Sequence, residues 1–296
     1  MTMTDSKNVT VLYHGGGCRD GFAAAWVMRM AYPDAEFLPV NYGEPVPDVD
    51  GRDVFLVDFC YGAFDLVRLV QRNKSVTVLD HHATAEATLS DVRDKIDDPD
   101  KFAFVFDKSK SGARLAWEWC VRESGPNEPF WERDASGVDT PRDPPWLVAY
   151  VEDRDLWRWA LPNSRAVNAA IRLTPLEFGA WDEMSHCLPE DLIRQGLAVL
   201  QRDAEIVASH VRAAVPRRIA GSVVPAVNAT VLTSEIGHEL CQGRPFAATY
   251  FDDLKAGKRR WSLRSDMGGM DVGAVAKSLG GGGHARAAGF EEALPA

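Results

Sequence analysis

Residues 75–82 read SVTVLDHH, a run of aliphatic and β-branched side chains that stops abruptly at an acid and two imidazoles. A run this short and this apolar is the pattern of a strand buried on both faces, as strands of parallel sheets are. Two earlier runs have the same form. Residues 9–13 (VTVLY) lead into His14 and the glycine turn HGGGCRDG, and residues 53–58 (DVFLVD) end at Asp58. Helical stretches follow the first two of these three runs, DGFAAAWVMRMAY at 20–32 and AFDLVRLVQ at 63–71, and a further strand candidate lies at 36–40. Strands alternating with helices predict an α/β fold whose parallel sheet is covered on both sides. Such sheets bind ligands beyond the carboxyl ends of their strands, which is where the acids and imidazoles fall.

Outward from this core the pattern changes twice. Residues 121–145 are polar and proline-rich and predict a long surface loop, after which a helix begins near Trp146 and runs into VEDRDLW. Residues 189–214 carry Leu192, Ile193, Leu197, Leu200 and Ile206 at helical spacing and predict a long amphipathic connecting helix. New strand candidates then appear (SVVPAVNATVL, FAATYF, RRWSLRS), with a helix, SEIGHELC, between the first two. The expected organisation is a parallel-sheet domain over 1–188, a connecting helix over 189–214, and a smaller α/β domain with a mixed sheet over 215–296. No apolar run reaches the ~18 residues that span a bilayer, and Met1–Asn8 lacks the basic and apolar regions of an export signal. Five scattered cysteines, odd in number, suggest reduced thiols and a cytoplasmic protein without membrane contact. The net charge of −10 argues against a binder of long nucleic acid, which needs a basic surface, but not against a small phosphorylated ligand. The pattern leaves oligomerisation open.

The chemistry-bearing residues are His14, Cys18, Asp20, Asp58, the Asp80-His81-His82 run and Asp153. Each alone has an ordinary explanation, because acids at strand ends commonly form turns or cap helices. Their joint position at the strand ends predicts a metal site instead. Oxygen ligands with a few imidazoles suit manganese or magnesium, and this many carboxylates are enough for two ions.

Asp80-His81-His82, with the earlier and later motifs in order, resembles the DHH superfamily of phosphoesterases, including its oligoribonuclease and RecJ-like members, over nearly the whole chain. His14–Gly21 is similar to that family's first motif, Asp58 to the second, Asp80–His82 to the third and Asp153, with Trp157 four residues on, to the fourth. The end of the chain, WSLRSDMGGMDVGAVAKSLGGGGHARAAGF, is similar to the family's associated C-terminal domain. The resemblance implies a two-metal, manganese-dependent hydrolase. His14, Cys18 and Asp58 would hold one ion, and Asp20, Asp58, His81 and Asp153 the other, with Asp58 bridging. Asp80 would support the imidazoles and His82 would assist the leaving oxygen. Asp155, nearby, is a weaker ligand candidate, read more simply as a helix-surface acid. Gly280, Gly281, Gly282, Gly283 and His284 would bind substrate, and Arg264, in the basic run KAGKRRWSLR, is a candidate for a terminal phosphate.

Cys18 departs from the family, which has Asp at that position. Either the thiolate ligates the first ion, or the side chain packs behind the turn. The expected substrate is a short oligonucleotide or dinucleotide. Trp157, Trp159 and Trp261 are candidates to stack a base, although such residues are more often core. The alternatives are hydrolysis of polyphosphate or pyrophosphate, and a catalytically weak nucleotide-binding module.

Overall fold

The computed structural model describes residues 6–126 and 129–294, so most of the polar start and two residues of the proline-rich stretch lie outside the described residues. The apolar runs form β1 (Val9–His14), β2 (Glu36–Val40), β3 (Asp53–Val57), β4 (Ser75–Asp80) and, unread in the sequence, β5 (Phe102–Phe106). Every neighbouring pair is parallel, in the order β2-β1-β3-β4-β5.

Successive side chains of a strand point to opposite faces, and here both sets are apolar. Val9, Val11, Phe55, Val57 and Leu79 join one core cluster with Phe22 and Trp26 of α1 (Arg19–Ala31), Trp117 of α4 (Gly112–Glu123) and Val151 of α5 (Trp146–Asp155). Leu12, Val54, Leu56, Val76 and Val78 join a second cluster with residues of α2 (Ala63–Arg72) and α3 (Ala83–Arg93). In α2 the buried residues are Leu66, Leu69 and Val70, the i, i+3, i+4 stripe of an amphipathic helix. The unbroken apolar strands therefore have a physical cause: helices cover the sheet on both sides.

The expected loop over 121–145 is corrected in part. Its start is the last turn of α4, and it contains a small hairpin of β6 (Trp131–Arg133) and β7 (Asp139–Pro141). Phe130 is fully buried against Trp117, and the Trp131 indole donates to the Val121 carbonyl and the Ser124 hydroxyl, so two aromatic anchors tie a polar stretch down. Helices α6 (Ser164–Ile171) and α7 (Phe178–Ser185) follow, then α8 (Pro189–Ala213).

The chain divides into two compact units, one reaching to Leu197 and one starting at Ala198. Helix α8 carries the chain from one to the next. Leu192 and Ile193 pack within the first unit, and Val207 and Val211 within the second. The second unit contains β8 (Val215–Ile219), β9 (Ser222–Asn228), α9 (Thr233–Cys241), β10 (Ala247–Asp253), β11 (Lys258–Arg264), α10 (Val272–Ser278), β12 (Gly282–His284) and β13 (Ala287–Ala293). Its six strands run in the order β12-β13-β11-β10-β9-β8, a mixed sheet in which β9 and β10 are parallel and the other pairs antiparallel. Among the described residues no helix is long and apolar enough to cross a membrane, and all five cysteines are free thiols.

Gly196 is the buried glycine of α8, and a Cβ there would overlap the carbonyl oxygen of Ala166 in α6. Gly196→Ala should therefore destabilise the first unit by about 1–3 kcal/mol, read as a lower urea midpoint, despite alanine's better helix propensity.

Candidate metal centre

The strand order reverses direction between β1 and β3, and the loops that leave β1, β3 and β4 converge there. After β1, Gly16 and Gly17 take φ of 62° and 85°, a left-handed turn that sets Cys18 as the N-cap of α1 and Asp20 in its first turn. After β3, Asp58 itself is left-handed at φ 56°, while its amide still donates to Leu79 at 2.9 Å. A non-glycine residue in that region is uncommon and marks a site worth explaining. The N-terminus of α4 closes the floor, with Gly112 so close that a Cβ would overlap that of Asp58.

Asp58 is 1% exposed and its two oxygens face different groups. Oδ2 lies 3.3 Å from His14 Nδ1 and 3.3 Å from the Cys18 thiol. Oδ1 lies 3.1 Å from His81 Nε2 and 3.8 Å from His82 Nδ1. Two groups of ligand atoms lie close enough to share an ion: His14, Asp58 and His82, and Asp20, Asp58 and His81. Asp58 belongs to both groups. Burial alone would raise its pKa, but the His14 and His81 imidazoles outweigh burial and hold the carboxyl well below the usual range.

His81 Nε2 also lies 3.8 Å from Asp20 and 3.5 Å from Asp155, so three carboxylates surround one ring nitrogen. Burial disfavours the imidazolium, yet these acids push its pKa up to about 10. Asp20 is raised well above the ordinary carboxylate value by burial and then by Asp58 and Asp155, even though the amides of Gly112 and Ala113 donate to it at 2.6 and 3.0 Å. Three acids against one imidazole form an acidic cluster that a divalent cation would offset. His14 fits the same reading. Its Nδ1 is buried and, among the described residues, makes no hydrogen bond of acceptable geometry, although Asp58 is near. Two groups that face a common third atom adopt this arrangement.

Asp80 is fully buried, and its Oδ1 accepts from the amides of His81 (2.7 Å) and His82 (3.1 Å) and from His82 Nδ1 (2.7 Å). It thus fixes the His82 ring rather than joining either ligand group. Opposed by burial, Asp80 and Asp58 still push the His82 pKa up to about 9.

Of the two readings of Cys18, the geometry favours proximity to the centre: its thiol donates to Asp58 and, as the cap of α1, accepts from the Gly21 amide at 3.4 Å. Burial and then Asp58 raise its pKa well above the ordinary thiol value. One expectation is corrected. Asp153 does not face the site. Its carboxylate accepts from the Ala160 amide at 2.8 Å, the Leu161 amide and the Ser164 hydroxyl, closing the turn after α5. Asp155, two residues on, approaches His81 instead. On a helix residues two apart point to different sides, so one of the two acids had to turn away.

Tyr42 and Gly112 were missed by sequence reasoning. The Tyr42 ring packs edge-on to His14 at 5.6 Å, and the signal for it is absent because it lies in a loop without a motif. Gly112 had a legible signal, a glycine in the first helical turn directly after the Ser111 cap. The stacking candidates separate. Trp261 is buried core, stacked on Phe290, whereas Trp157 and Trp159 are half-buried, left-handed at φ 55° and 54°, and pack edge-on at 5.0 Å.

In the second unit the glycine run expected to bind substrate is ordered. The Gly280 and Gly281 amides donate to the Lys277 and Ala276 carbonyls and so cap α10, while Gly282–His284 form the edge strand β12 on β13. Arg264 donates to the Ser234 hydroxyl at 2.7 Å and packs on Gly237 of α9.

No family model matches the chain. It is 24% identical over 307 residues to the uncharacterized protein R106 of Acanthamoeba polyphaga mimivirus, over 95% of this chain and 66% of that protein. The chain therefore spans slightly under two thirds of that relative's length. Among solved structures it is similar to a pGpG-specific phosphodiesterase, PggH, from Vibrio cholerae (TM-score 0.47, 12% identity, 97% of this chain and 93% of that one). It is also similar to an exopolyphosphatase-related protein from Bacteroides fragilis (TM-score 0.42, 11% identity, 97% and 87%).

Asp155→Asn should weaken binding of manganese by roughly tenfold or more in calorimetry with little loss of stability, since it deletes one charge from the cluster. Asp153→Asn should do the reverse, lowering the melting temperature through the lost turn contacts and changing manganese affinity less. Equal losses of affinity in the two variants would contradict this division.

Proposed function

We propose that this protein is a phosphoesterase-type hydrolase that works with two divalent cations, manganese by preference with magnesium as the substitute, on the phosphodiester bonds of short oligonucleotides or dinucleotides. The observation that carries the reading is a buried carboxylate that belongs to two ligand groups, with Oδ2 near His14 and Oδ1 near His81. His14, Asp58 and Cys18 would hold the first ion. Asp20, Asp58, His81 and Asp155 would hold the second. The mixed oxygen and imidazole donors fit a hard or borderline ion, and the buried His14 nitrogen without a hydrogen bond fits a ligand role. Bound ions of this kind supply an activated water and neutralise charge at the phosphoryl oxygens.

The chain's own residues supply orientation and a proton. Asp80 holds the Nδ1–H of His82, which leaves proton exchange with a leaving oxygen to Nε2. With the Gly280 and Gly281 amides engaged in capping, Arg264, Gly282, Gly283 and His284 are the second unit's candidates for contact with the substrate. The acidic balance of the chain supports a small substrate over a long polymer.

Purified protein with manganese, offered dinucleotides, cyclic dinucleotides and polyphosphate, should cleave the dinucleotides most efficiently. Asp58→Asn keeps the side-chain shape and a residue tolerant of the left-handed backbone, so it should fold normally. It should lower kcat by roughly 100-fold or more, because one substitution disturbs both ions. Preference for polyphosphate would overturn the substrate assignment, and retention of most activity by Asp58→Asn would overturn the shared-ligand reading.

Cys18→Ser should raise the manganese concentration needed for half-maximal activity several-fold, since a hydroxyl is a poorer anionic donor than a thiolate formed on binding. Cys18→Asp should restore or lower it. Identical metal titrations for the three proteins would remove Cys18 from the ligand set.

A further inference from the structure

A cleft of about 410 Å³ lined by Tyr42, Glu44, Phe59, Tyr61 and Asp65 belongs to the first unit and plays no part in the chemistry above. It adjoins the carboxylate and imidazole centre through a continuous row of rings. His14 meets Tyr42 at 5.6 Å, Tyr42 meets Phe59 at 4.6 Å, and Phe59 meets Tyr61 at 4.8 Å. Its volume is within the range of small-molecule sites.

We infer that this cleft receives the base of a nucleotide substrate and selects bases that carry an exocyclic amino group. The inference deepens the proposed phosphodiester hydrolysis and rests on it for the phosphate, while base binding stands on the cleft alone. Three observations carry it. Tyr42 is 49% exposed while its neighbour Phe59 is fully buried, so a supported aromatic face is open to a planar ring. Tyr61 is only 5% exposed, and its buried hydroxyl has no hydrogen-bond partner among the described residues. A buried hydroxyl left so is rare in a folded protein and calls for a ligand atom.

Third, the polar lining is acidic. Glu44 is held in place by Asn41, whose amide and side chain both donate to it at 3.1 Å across a turn that needs the left-handed Gly43. Asp65 stands in the first turn of α2. Burial first, then these two acids, push the Tyr61 pKa up to about 12, so it remains a neutral hydroxyl able to donate and accept. Carboxylates accept only, so they pair with ring N–H and amino groups and repel carbonyl oxygens and further phosphates. Adenine, guanine and cytosine match this lining. Uracil, with two carbonyls, and a polyphosphate chain do not.

The test is equilibrium binding of nucleosides, which carry no phosphate, to the full chain with manganese, followed by calorimetry or saturation-transfer NMR. Adenosine, guanosine and cytidine should bind about fivefold or more tightly than uridine. Tyr42→Ala should weaken adenosine about tenfold by loss of stacking, and Tyr61→Phe, which keeps the ring and the fold, about threefold. Equal affinity for uridine and adenosine, no binding at millimolar nucleoside, or unchanged affinity in both folded variants would overturn the inference. Dinucleotide hydrolysis measured in parallel separates the two readings. Hydrolysis without nucleoside binding sinks the cleft assignment alone. Nucleoside binding without hydrolysis leaves the cleft and removes the proposed activity.

Discussion

A carboxylate buried as deeply as Asp58 costs several kcal/mol unless other groups replace the water it has lost, and much of the first unit's architecture supplies that replacement. Two imidazoles and a thiol surround it, drawn from the ends of β1 and β4 and the cap of α1. The left-handed backbone at Asp58 turns the carboxylate inward instead of letting it continue along the strand. The sheet order brings these ends together, because β1 and β3 are neighbours at the point where the winding reverses. Without that adjacency His14 and Asp58, 44 positions apart in the chain, would have no reason to meet.

The surrounding elements serve the same constraint. Helix α4 begins directly beneath Asp58, where only a glycine fits, and its first amides donate to Asp20. The positive end of a helix dipole offsets part of the acid cluster's repulsion. Helix α5 divides its acids by position: Asp153 ties off the turn that follows, and Asp155 completes the cluster at His81. The turn carries Trp157 and Trp159 in left-handed conformations that bulky residues seldom adopt, and the Asp153 contacts stand beside them.

The second unit is organised by close backbone approach. A Cβ at Gly281 would overlap the Gly289 carbonyl oxygen, and one at Gly283 would crowd Ala288, so these glycines allow β12 to lie against β13. Their packing makes them a strand edge and a helix cap. Arg264 is likewise ordered, braced by Ser234 and Gly237.

The sequence by itself determined the fold class and most of the centre. Unbroken apolar runs can be buried only between two layers of helices, and polar residues that end such runs fall on one edge of the sheet, so His14, Asp20, Asp58 and the Asp80–His82 run were legible from position alone. The tertiary structure decided what depends on direction rather than order. Which of two acids on α5 faces the cluster is set by helical phase, so Asp155 rather than Asp153 approaches His81. Whether Cys18 meets the site or the core depends on the pitch of a three-glycine turn. Tyr42 is brought in by a loop far from any motif, and no periodicity records such a contact. The hairpin at 131–141 escaped because a short, half-exposed element is held by anchors such as Phe130 rather than by its own pattern, whereas β5 (FAFVF) carries a legible apolar run and pairs with β4.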